Sequence, residues 1–173
     1  VGQAMKESRI PREEIHITSK LGPSQMESSD TAYNGVRESL AKIGVDRLDS
    51  YLIHWPGRGG WRPDNPLHGY HRLQAWRGLE RAKDEGLVEK IGVSNFEIRH
   101  LEELKKDWRI APFSNQFELH PFIFSTQLPL IEWCRSHNIH VEAYSPLGSS
   151  AGIADLVSNE VIVRIGKECS QSP

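Results

Sequence analysis

Short β-branched runs alternating with longer helical stretches constrain this chain more than any other feature of its sequence. Residues 14–20 (EIHITSK), 49–55 (DSYLIHW), 89–95 (EKIGVSN), 113–119 (FSNQFEL) and 139–145 (IHVEAYS) read as strands. Helical stretches lie between them near 24–42, 70–85, 98–105 and 126–137, and a fifth follows near 159–168. In the second of these, Leu73, Trp76, Leu79 and Ala82 make one apolar stripe, and Gly86 is placed to end the helix. Such alternation predicts parallel strands joined by crossover helices, an α/β domain.

Composition narrows the partners. With 38% hydrophobic and 25% charged residues, and a net charge of -2 with both signs interspersed, the chain lacks the basic footprint that nucleic acid or an anionic membrane requires. No apolar run approaches the roughly 20 residues that span a bilayer. Cys134 and Cys169 are too far apart in sequence for a metal-ligand spacing, and two cysteines do not make a disulfide framework, so a reducing cytoplasm is the expected setting. A small molecule is the expected partner. The pairs His68/His71 and His137/His140 repeat an i,i+3 spacing without a third ligand, and are expected to be solvated surface histidines rather than a metal site.

Both ends read as cut: residues 1–8 look like the last turns of a helix, and residues 167–173 stop where another could begin. Five strand-helix units of this kind fit either an open doubly wound sheet or part of a closed barrel. No strand is followed by G-x-G-x-x-G. The one glycine cluster, Gly57-Arg58-Gly59-Gly60, falls in a Gly-, Pro- and Arg-rich loop over residues 56–69, after the second strand.

Polar residues recur where these strands end. Lys20 closes the first, His54-Trp55-Pro56 the second and Ser94-Asn95 the third; Gln116, Glu118 and His120 mark the fourth, and Tyr144-Ser145 the fifth. A lysine at the C-terminal mouth of a parallel sheet is costly unless it is paired or used, and five strands ending this way predict one shared polar site.

The segments VDRLDSYLIHWP (45–56), LERAKDEGLVEKIGVSNF (79–96), NQFELHP (115–121) and AYSPLG (143–148) resemble, in order and at matching separations, the signature segments of aldo-keto reductases. That resemblance covers essentially the whole chain and implies a (β/α)8 TIM barrel, of which residues 1–173 form one incomplete domain holding strands three to seven. It implies an enzyme that reduces aldehydes or ketones to alcohols with NADPH, NADH being the possible alternative. By the same resemblance Lys20 and His54 match the catalytic lysine and histidine. Ser94, Asn95 and Gln116 match the residues that hold the nicotinamide carboxamide, and Tyr144 the aromatic that stacks on the ring. Ser145, Leu147 and Ser149 match the pyrophosphate loop, and Trp55 a wall of the substrate pocket, with Trp61 a further candidate.

The family's proton-donating tyrosine and the aspartate that pairs with the lysine match no residue here; Tyr33 and Tyr51 sit in the wrong places to substitute. The chain alone is therefore expected to be inactive and either unstable or self-associating. The rival function is a non-catalytic cofactor-binding or interaction protein on the same barrel, against which the presence of both Lys20 and His54 weighs. Arg58 and Arg62 in the long loop are expected to be ordinary exposed loop arginines rather than a preference for anionic substrates.

Overall fold

A computed structural model describes residues 1–172, the side chains of Ser150 and Ala151 excepted. The elements are α1 (Gly2–Ser8), β1 (Thr18–Leu21), α2 (Ser29–Ile43), β2 (Leu48–Ile53), α3 (His68–Asp84), β3 (Val88–Ser94), α4 (Ile98–Lys105), β4 (Ser114–Glu118), α5 (Phe124–Ser136), β5 (His140–Tyr144), α6 (Ser149–Ser158) and α7 (Glu160–Glu168). All neighbouring strands pair in parallel, in the order β1-β2-β3-β4-β5. This unbroken order decides between the two architectures, because a doubly wound sheet reverses direction at a switch point whereas a barrel wall does not.

Local chemistry sets the helix ends. Ser28 caps α2 by accepting from the Thr31 N–H at 3.1 Å, and Gly44, at φ 80°, closes it by donating to the Leu40 carbonyl. The helix therefore starts at Ser29 and not near residue 24, where Pro23–Gln25 form a single 3-10 turn. A second such turn over Arg12–Glu14 delays β1 until Thr18, later than the alternation implied. Gly86 at φ 75° follows α3, and the Leu87 N–H returns to the Ala82 carbonyl at 3.0 Å, which ends the helix as expected. Asn159 caps α7 through both Val161 and Ile162 N–H groups.

The core lies between the central strands and the helices over them. Leu48, Tyr51, Ile53, Ile91 and Val93 meet Val36, Trp76, Leu79 and Leu101, all at most 1% exposed. Each such side chain contributes roughly 1.5–3 kcal/mol by leaving water. Trp76 also finds a partner for its indole N–H, the Ile110 carbonyl at 3.0 Å. Burial fades toward β5, where His140 and Ala143 are exposed. β1 and β5 are the two edges of the sheet. Among the described residues no helix is long and apolar enough to cross a membrane.

Helix α6 has no counterpart among the expected helices, and the expectation for the first histidine pair is corrected: His68 and His71 are buried at 8% exposure, each hydrogen-bonded to backbone carbonyls, rather than solvated on the surface. Of the other pair, His140 is exposed while His137 is half-buried and stacks on Trp133 at 3.8 Å.

Candidate active site

The C-terminal ends of the strands bring most of the candidate residues to one mouth. Lys20 pairs in register with Leu52. His54 extends the ladder one residue beyond β2 by donating its N–H to the Leu21 carbonyl at 3.2 Å, which seats it at the lip. Burial holds the His54 imidazole below its ordinary value of 6.5, and the Lys20 ammonium adds to the effect. A ring kept neutral at working pH offers one N–H to a carbonyl oxygen without carrying a charge of its own.

Asn95 is the hub. It follows β3 at φ 61°, a left-handed conformation that asparagine tolerates better than most residues, and its N–H donates to the Gln116 carbonyl at 2.9 Å. The reversal turns the side chain back across the mouth. Its amide nitrogen donates to the His54 carbonyl at 3.0 Å and to Ser94 Oγ at 3.2 Å, and its amide oxygen accepts from the Tyr144 hydroxyl at 2.8 Å. Ser94 Oγ in turn donates to the Gln116 carbonyl at 2.7 Å. The Asn95 side-chain amide thus links the ends of β2, β3 and β5, and the Asn95 backbone N–H and Ser94 Oγ tie them to Gln116 on β4. Burial raises the Tyr144 phenol above its ordinary 10.0, with the Glu118 carboxylate adding to the shift, so the hydroxyl stays protonated and donates.

Gln116 donates one amide hydrogen to Glu142 at 2.8 Å, which leaves its carbonyl oxygen and second N–H for another partner. After Tyr144 the backbone turns sharply through Ser145 (φ 48°), Gly148 (φ 76°) and Ser149 (φ 62°) into α6, whose first turn has no side-chain cap. A helix N-terminus left uncapped presents N–H groups to an anion. Leu147 and Ser149 are exposed along this turn and Ser145 is half-buried; none of the three joins the hydrogen-bonded network described above.

Trp55 is 46% exposed, with its ring 5.9 Å from that of His54. It and Asn95 border a cleft of about 930 Å³ that runs outward between the long loop and the starts of α3 and α4, lined also by Arg58, Trp61, His68 and Arg72. His68 fixes the shape of that loop: its Nδ1 accepts from the Arg58 N–H at 3.1 Å, so Nε2 carries the hydrogen and donates to the Arg62 carbonyl at 2.8 Å. Arg58 reaches Glu27 at 3.4 Å and lies 4.8 Å from the Trp61 ring, while Arg62 is paired with Asp64 on the surface. Among the described residues no three His, Cys, Asp or Glu side chains cluster as metal ligands would. The sequence pointed to the polar strand ends but not to Glu142, whose place opposite Gln116 shows only once β4 and β5 are paired.

The model of the aldo/keto reductase family matches residues 1–155. The chain is 41% identical over 175 residues to a 9,11-endoperoxide prostaglandin H2 reductase of Trypanosoma cruzi (strain CL Brener), covering 100% of this chain and 56% of that protein. It is 38% identical over 172 residues to a glyoxal reductase of Bacillus subtilis (strain 168), covering 99% and 56%. A solved Bombyx mori aldo-keto reductase in complex with NADP matches with a TM-score of 0.82 and 32% identity over 98% of this chain and 56% of that one. The chain spans about half the length of the curated relatives it matches. With the family model over most of its length and the same fold in solved relatives, this chain belongs to the aldo/keto reductase family and forms five parallel units of its incomplete (β/α)8 barrel.

Proposed function

We propose that residues 1–173 act as one partial barrel domain of an NADPH-dependent reductase that converts small aldehydes or ketones to alcohols. The observation that carries this reading is the bonded chain from Tyr144 through Asn95 to the His54 carbonyl, with Lys20 beside it. When bound, the nicotinamide would supply hydride to the carbonyl carbon. The donor set fits such a group: Gln116 retains an amide oxygen and an N–H for a carboxamide, Tyr144 offers a ring face, and the Ser145–Ser149 turn with the α6 N-terminus offers N–H groups to a pyrophosphate. The solved relative that holds NADP supports that choice of cofactor.

His54 polarises the substrate oxygen by donating its N–H, and Trp55 walls the approach. Lys20 acts as a fixed positive charge that offsets negative charge developing on the same oxygen. The relatives named above act on different substrates, an endoperoxide and glyoxal by name, so the reading stops at a small reactive carbonyl. Two free cysteines and the need for NADPH support a cytoplasmic setting.

The proton is the missing part. Of the four tyrosines, Tyr33 donates to Glu85, Tyr51 meets Ser39 in the core, Tyr70 lies exposed and Tyr144 donates to Asn95; none is hydrogen-bonded to Lys20. Without a positioned acid the rate falls by about 10²–10⁴. The test is to titrate the chain with NADPH by fluorescence, then follow NADPH absorbance with a reactive aromatic aldehyde. Binding with no turnover is expected, and turnover in a chain extended at both ends. Failure to bind refutes the cofactor assignment, and turnover by the chain alone at about 1 s⁻¹ or more refutes the argument about the proton. An extended chain that binds without turnover would make this a cofactor-binding protein and not a reductase.

A further inference from the structure

We infer that Arg72 is a positioning residue for this site, its buried guanidinium tying the loop behind His54 to the loop behind Asn95. The inference rests on the functional reading above, but its geometry is independent of it. Arg72 lies in the second turn of α3 and is 4% exposed. Its Nε donates to the Pro56 carbonyl at 2.9 Å, two residues past His54. One terminal nitrogen donates to the Glu103 carboxylate on α4, and the guanidinium sits 5.7 Å from the ring of Phe96, the residue after Asn95. The preceding residue completes the arrangement: His71 Nδ1 faces the Met26 and Glu27 carbonyls at 3.1 and 2.9 Å, in the segment after β1. Two adjacent side chains thus fasten the three strand-to-helix connections that follow Lys20, His54 and Asn95.

A guanidinium is an expensive way to fill this space. Its partner Glu103 is 53% exposed, so the pair gains little from a low dielectric while Arg72 bears the desolvation cost, and a methionine would fill the volume without it. A methionine cannot hold a backbone carbonyl and a carboxylate at a fixed separation. The planar, five-donor fork can. Groups acting at a site must be held within about 0.5 Å, and the Pro56 carbonyl is the nearest backbone anchor after His54 with a buried side-chain donor.

The experiment is amide hydrogen exchange on the ligand-free 173-residue chain and its Arg72→Met and Arg72→Lys variants. Exchange is read at His54 and Asn95, whose N–H groups bond Leu21 and Gln116, and across α2 as an internal control. Arg72→Met is expected to speed exchange at the two mouth amides about tenfold or more while α2 is unchanged, with partial recovery in Arg72→Lys. NADPH affinity should weaken by a similar factor. Unchanged mouth amides, or an acceleration shared equally by α2, would overturn the inference. Should Arg72→Met fail to fold, Glu103→Ala decides: it removes the acceptor on the α4 arm alone, at a half-exposed carboxylate, and is expected to speed Asn95 but not His54, whereas wild-type exchange at both overturns the inference. If the unaltered chain does not bind NADPH, the cofactor assignment falls, and the exchange pattern still judges Arg72.

Discussion

Acid should destabilise this fold through His100. The side chain is 9% exposed in the first turn of α4, its Nδ1 accepting from the Glu97 N–H at 3.1 Å and its ring 5.9 Å from that of Phe96. Burial, and then the Arg72 and Arg99 guanidiniums, lower it from 6.5 to about 4, against a weaker pull from Glu97 and Glu103. Protonation would place a second cation beside Arg72 and remove the acceptor that caps the helix. The unfolded chain takes up this proton near 6.5 and the folded chain only near 4. Stability from the neutral ring is therefore complete above 6.5 and drains as pH falls toward 4. At about 1.4 kcal/mol per pH decade, the loss across that window reaches about 3 kcal/mol. The assay is urea unfolding followed by tryptophan fluorescence at a series of pH values, comparing the chain with His100→Gln, which keeps a hydrogen-bond acceptor but cannot charge. Every other ionisable group is common to both proteins, so the difference isolates His100. Parallel stability curves between pH 6.5 and 4 would refute the reasoning.

Replacing Lys20 with Met should raise the His54 titration midpoint, because an ammonium that disfavours the imidazolium is removed; burial keeps it under 6.5, and an unmoved imidazole resonance would count against their proximity. Gly78→Ala should cost about 1–3 kcal/mol although alanine is the better helix former, since the added Cβ would strike the Ser29 carbonyl and approach Ala32 Cβ at 2.8 Å where α2 and α3 cross; an unfolding midpoint equal to or above that of the unaltered chain would show that the helices simply part. With β1 and β5 as free sheet edges, the chain should associate as its concentration rises in size-exclusion chromatography; a monomer with one sharp cooperative melt would contradict this.

The strands were legible because their β-branched runs are bounded by polar residues, and those boundaries are also where the candidate residues sit. Helix α6 was not, because its sequence, SSAGIADLVS, has no polar stripe and begins at a serine with positive φ, which no propensity argument selects. The start of α2 was misplaced because Pro23 suits a first helical turn equally well as a 3-10 turn, and only the Ser28–Thr31 bond distinguishes them. His68 and His71 looked solvated because a Gly- and Pro-rich loop suggests exposure, whereas that loop folds back over α3 and uses the first ring as its fastener. Lys20, His54, Ser94, Asn95, Gln116 and Tyr144 could be listed from the sequence. That one amide would join the ends of three strands depended on a left-handed Asn95, which the letters do not display.

The strand order bears on how the chain is made. Because β1 to β5 lie side by side in the order of synthesis, each strand pairs with the one just completed and none waits for a distant partner. Loops closed in this way stay short, which favours fast folding and allows the sheet to grow one unit at a time as the chain leaves the ribosome. Every intermediate then displays a single advancing edge, and that edge is hidden only when the last strand of a wall meets the first.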